Sequence, residues 1–105
     1  MQNACDVKTV TIGGREYKVR YTVNSLCALE DRAGMPIDRL MDRQFSATRL
    51  LLWAALAEEQ PELTVRDAGA LIGDHILSGG CLEDIVDICA EGLRAAGLFG
   101  GNGEA

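Results

Sequence analysis

The chain has 105 residues, 48% of them hydrophobic, with only two Phe, two Tyr and one Trp, and its formal charge is −6. That length makes one domain with one core, filled mainly by Leu, Ala, Val and Ile, a composition that favours packed helices. An acidic chain without clustered Lys and Arg is a poor ligand for a phosphate backbone, because little counterion release is available to it, and basic or neutral partners fit better.

No apolar run reaches the roughly 18 residues of a membrane span, and no charged region followed by a hydrophobic signal segment opens the chain. The expected compartment is the cytoplasm. The four cysteines, Cys5, Cys27, Cys81 and Cys89, are accordingly read as reduced thiols.

Residues 1–6 read as flexible. Alternating segments over 7–21 flank Gly13-Gly14, and a Gly-Gly pair supplies the positive φ angles of a two-residue hairpin turn. The register that follows puts Val10 opposite Tyr17 and Lys8 opposite Val19 on an apolar face. Thr9 then faces Lys18 and Thr11 faces Glu16 on a polar one. A lone hairpin is marginal in water, so its apolar face is expected to rest on the helices that follow.

Thr22 reads as the N-cap of a first helix with Val23, Leu26, Cys27 and Ala33 on or beside one stripe, closed by Gly34. Pro36 starts a short turn through Leu40 and Met41. Ser46 is expected to cap a third helix whose middle, Leu50 to Ala57, is apolar on all sides, as in a helix that is central in its fold or covered by a partner. Glu58, Glu59 and Pro61 stop it. Thr64 caps a fourth helix with the stripe Val65, Ala68, Leu71, Ile72 and Ile76.

Ser78-Gly79-Gly80 breaks the pattern, and a fifth helix is expected from about Leu82 to Ala96. Its apolar residues cover about half the circumference, which leaves room for a contact beyond the core, although a helix wedged between two neighbours has the same pattern. Residues 98–105 read as a flexible Gly-rich tail. The fold class is α+β and mostly helical: an N-terminal two-stranded antiparallel hairpin (7–21), then four to five short helices (22–97), in a single domain over 1–105.

Catalytic and metal chemistry find little support. Cys81 and Cys89, the nearest pair of cysteines, lie too far apart for the Cys-x₂₋₄-Cys spacing of structural zinc sites, and buried thiols behave as small hydrophobes. His75 stands near the end of the fourth helix, where a protonated ring complements the dipole. A small enzyme using Cys27, Cys81 or Cys89 with His75 lacks any local signature of an activated nucleophile. Gly13-Gly14 does not precede a helix and is a turn, not a phosphate loop. The Leu63 to Ile76 segment faintly suggests a helix-turn-helix unit, but its recognition helix would carry Glu83, Asp84 and Asp87 toward phosphates. The reading is therefore non-enzymatic, with no cofactor, no metal, no nucleic acid and no membrane.

Three runs carry a resemblance: T-x-N-x-L-C-x-L-E from Thr22 to Glu30, R-x-L-L-W-A-A-L from Arg49 to Leu56, and P-E-L-T from Pro61 to Thr64. With the hairpin before them and an amphipathic helix after, the chain resembles the phage tail assembly chaperones of the small prophage and gene-transfer-agent type over roughly Val7 to Leu98. The Ser78 to Cys81 hinge departs from that family's pattern.

The resemblance implies a stoichiometric, non-catalytic role in virion morphogenesis. The protein would bind the helical tape measure protein in the bacterial cytoplasm, hold it soluble until tail tube protein polymerises around it, and be absent from the mature virion. Genes of this family often also yield a longer, frameshifted product. The residues expected to form the contact, or the core beneath it, are Leu52, Trp53 and Leu56 of the third helix with Ile88, Leu93, Leu98 and Phe99 from the fifth helix and beyond. The alternative is a self-assembling structural tail or head-completion protein, which would make the chain a homo-oligomer.

Overall fold

In the computed structural model the described residues are 8–40 and 42–97, with the side chain of Ile37 left aside. Strands β1 (Lys8–Ile12) and β2 (Arg15–Val19) pair antiparallel. Val10 lies opposite Tyr17, Lys8 opposite Val19, Thr9 opposite Lys18 and Thr11 opposite Glu16, as the alternation requires. Gly13 and Gly14 both have positive φ, 61° and 83°, which twists the turn in the sense that right-handed strands accept. Ile12, Tyr17 and Val19 are buried and Val10 is half-buried, so one face of the hairpin is core.

Five helices follow: α1 (Val23–Ala33), α2 (Ile37–Leu40), α3 (Gln44–Ala57), α4 (Val65–Leu77) and α5 (Leu82–Ala96). The protein is α+β and mostly helical. Thr22 and Thr64 are both N-caps in reciprocal boxes, with Ser25 and Asp67 returning the bond to the cap backbone. Gly34 adopts φ 71° and its N–H closes α1 on the Glu30 carbonyl at 2.8 Å.

Two local expectations are corrected. Ser46 does not cap α3. The turns Asp42 N–H to Arg39 and Arg43 N–H to Leu40 run directly into the first helical bond, Ala47 N–H to the Arg43 carbonyl at 2.7 Å, so Arg43 takes the cap position, α3 begins three residues earlier and Ser46 lies inside its first turn. On α1 the buried residues are Ser25 and Leu29, whereas Val23 and Cys27 face solvent. Ser25 can be buried because its hydroxyl is satisfied twice, by the Thr22 N–H at 3.1 Å and by Glu58 Oε2 at 3.3 Å.

Helix α3 is the axis of the fold and packs against α1, α4, α5 and β2. Ala47, Ala54 and Ala55 are buried along it and let the neighbours approach, while Leu50, Leu51, Leu52 and Leu56 fill the spaces between. Two bonds fix the hairpin exit to α3: Arg20 N–H donates to the Ala55 carbonyl at 2.9 Å, and Tyr21 Oη donates to the Leu51 carbonyl at 2.7 Å. A wholly apolar helix is thus accounted for by a central position. Among the described residues no helix is long and apolar enough to cross a membrane.

Candidate partner-binding cleft

Helix α3 carries one apolar residue that its neighbours leave uncovered. At 100° per residue, Phe45 falls in line with Thr48, Leu52 and Leu56, all three buried, so it continues the core-facing stripe one turn past the end of the core. Phe45 is 68% exposed. Beside it opens a cleft of about 200 Å³ lined by Phe45, Ser46 and Arg49 of α3, Gly69 and Ile72 of α4, and Leu82 of α5.

The walls follow from local sequence. The Thr64 cap sets the phase of α4 so that Gly69, Ile72 and Ile76 lie within about 60° of one another on its surface. Ile72 is buried at the floor, and Ile76, at 41% exposure, stands at the outer end of that face. A Cβ on Gly69 would lie 3.0 Å from Cδ of Arg49, so the glycine leaves space for the arginine stem to lie across α4. Leu82 enters from the first turn of α5. The cleft therefore combines three apolar side chains, Phe45, Ile72 and Leu82, with the polar Ser46 and Arg49.

The α4–α5 junction is held separately. His75 Nε2 lies 2.8 Å from Asp84 Oδ2, and the same carboxylate accepts the Cys81 N–H at 3.0 Å. The Cys81 backbone bond first, and then His75, hold Asp84 below the usual carboxylate range. The histidine thus bridges to the α5 N-cap. A second depression, of about 430 Å³, is lined by Gly34, Met35, Pro36, Arg39, Asp42 and Arg43; its charges are of both signs.

The residues singled out in the sequence divide into three groups. Leu52 and Leu56 are fully buried at 0% exposure and belong to the core, not to a contact surface, because α1, α4 and α5 close around α3 at their level. Trp53 is half-buried, with its indole N–H donating to the Leu63 carbonyl at 3.2 Å and the Arg32 guanidinium 5.7 Å from the ring centroid. Ile88 and Leu93 are half-buried flanks of α5 packed against the core. Leu98 and Phe99 lie outside the described residues, as do Cys5, Met41 and both segments read as flexible.

Phe45 is the residue that sequence reading missed. Taking Ser46 as a cap placed Phe45 outside the helix, where its spacing to Thr48 and Leu52 carried no meaning. That i, i+3, i+7 spacing was the available signal. No family model, curated protein or solved structure matches this chain.

Proposed function

We propose that this protein is a non-catalytic tail assembly chaperone that binds a tape measure protein and keeps it soluble in the bacterial cytoplasm during phage tail morphogenesis, leaving before the virion is complete. The observation that carries the reading is Phe45, an aromatic residue on the core stripe of α3 that opens beside a cleft of mixed apolar and polar lining instead of being covered. A client with long apolar helical stripes self-associates unless compatible apolar surface covers it and net charge holds the complex in solution. Phe45 and the cleft supply one apolar anchor point for such a stripe, and the charge of −6 supplies the second requirement. The half-buried Val86 and Leu93 add apolar surface on one flank of α5 and Ile88 on the other.

Co-expression with a tape measure protein tests this. The client is expected in the soluble fraction and to co-purify with this chain. A client that stays insoluble, with nothing co-purifying, sinks the proposal. The self-assembly alternative draws on the hairpin: among the described residues no third strand pairs with the outer edge of β1, where another copy could add. Light scattering after size exclusion separates the two, since rings or a fixed oligomer in the absence of client would favour self-assembly.

A further inference from the structure

We infer that the Phe45 cleft recognises one large apolar side chain on a partner helix together with a carboxylate about one turn away on that helix, which pairs with Arg49. The inference rests on the chaperone reading and specifies what a client segment must present.

Three observations select this occupant. The cleft, at about 200 Å³, falls below the roughly 300–1,000 Å³ of small-molecule and cofactor pockets. It has room for a side chain and little more. Its apolar surfaces, Phe45, Ile72 and Leu82, come from three different helices, so the guest enters a junction from outside and does not extend one helix face. Charge complementarity supplies the third. Among the described residues the contacts between basic and acidic side chains are Lys8–Glu91, Arg20–Glu59 and His75–Asp84, and none of them includes Arg49. The stem of this cation lies against Gly69 at the cleft wall, which places a positive charge beside Phe45, Ile72 and Leu82 on a protein whose net charge is negative.

The chain's own C-terminal residues do not fit the role within one molecule. Helix α5 starts at the cleft with Leu82 and runs 15 residues away from it to Ala96, a length of about 22 Å at 1.5 Å per residue. Leu98 and Phe99 follow directly on Gly97, and two or three residues reach back only about 10 Å.

The test uses two synthetic amphipathic helical peptides, each with leucines at i, i+3, i+4 and i+7. One carries Glu flanking the stripe and its twin carries Lys at the same positions. Fluorescence anisotropy with the full chain at physiological salt, where the Debye length of about 8 Å screens the net charge, should show the Glu peptide bound about fivefold more tightly, the scale of one partly exposed ion pair. Arg49→Glu should reverse that preference. Phe45→Ser should weaken both peptides by about tenfold, as for the loss of an aromatic anchor. Both residues are exposed, and circular dichroism confirms that each variant is folded.

Equal binding of the two peptides, a preference unmoved by Arg49→Glu, or no binding of either peptide overturns the inference. So does a concentration-dependent dimer abolished by Phe45→Ser, which would make a second copy the occupant. Co-expression keeps the two proposals distinguishable. If the wild-type chain and both variants solubilise a tape measure protein equally, the chaperone reading stands and the cleft is not its site. If the wild-type chain fails there while the peptides behave as expected, the cleft stands and the client was wrong.

Discussion

A Cβ on Gly92 would stand 2.8 Å from Cγ1 of Val19 and 3.1 Å from the Tyr21 ring, so the hairpin and α5 meet where only a hydrogen fits. Val19 and Tyr21 are buried there, and neither can withdraw without opening the core. Gly92→Ala is therefore expected to destabilise by about 1–3 kcal/mol through overpacking, although alanine is the better helix former. The shift in urea midpoint measures it. A neutral or stabilised variant would show that the hairpin does not seat on α5 at this point.

Gly73 gives the opposite sign. It lies inside α4, and a Cβ there would meet nothing within 4 Å. Gly73→Ala should stabilise by up to about 1 kcal/mol, the helix-propensity difference alone. Paired with Gly92→Ala in the same urea series, it separates packing from propensity.

The thiols should sort by burial. Cys27 and Cys81 are exposed and Cys89 is buried. In a Cys5→Ser background a thiol reagent at neutral pH is expected to titrate two groups quickly and the third only on unfolding. Burial raises Cys89 from its ordinary 9.0 to about 11 and, with Cys89 nearby, raises Tyr21 well above its usual value. The sign follows from which state holds the proton: the unfolded chain ionises first, so it binds fewer protons at alkaline pH and stability falls as pH rises. The contribution of Cys89 is fully present below pH 9 and lost as pH passes through about 11, a change on the order of 2–3 kcal/mol. Cys89→Ala should flatten part of that alkaline decline in a pH series of urea melts.

Much of the fold was legible because its signals are local. Gly13-Gly14 fixes the hairpin register, Thr22 and Thr64 each find their box partner three residues on, and Gly34 closes α1 in the left-handed conformation. The beginning of α3 was not legible, since no side chain caps it and only the turn bonds from Arg39 and Leu40 set its start. The candidate site fared worse for a related reason. Leu52 and Leu56 look the same in sequence as Phe45, apolar residues on one stripe, and what separates them is how far the neighbouring helices extend along α3. That is a tertiary fact. Arg49 stood in the sequence only as the first residue of the R-x-L-L-W-A-A-L run, and its place at a cleft depends on Gly69, twenty residues later, lying beneath its stem.

Trp53 is the position where core and contact roles are easiest to confuse. The indole N–H holds the Leu63 carbonyl in the turn between α3 and α4, and Arg32 covers the ring from α1, so this one side chain joins three segments. Trp53→Phe keeps much of the apolar bulk but leaves the Leu63 carbonyl without its donor, and is expected to cost about 1–2 kcal/mol. Trp53→Ala adds a cavity and should cost about 3–5 kcal/mol. Arg32→Ala removes an exposed cation–π contact worth about 0.5–1 kcal/mol. Because Trp53 is the sole tryptophan, its fluorescence reports the same junction during each urea melt of the wild-type and Arg32→Ala chains. A Trp53→Phe chain as stable as wild type would mean that the Leu63 bond contributes nothing and that the ring is held by its apolar neighbours alone.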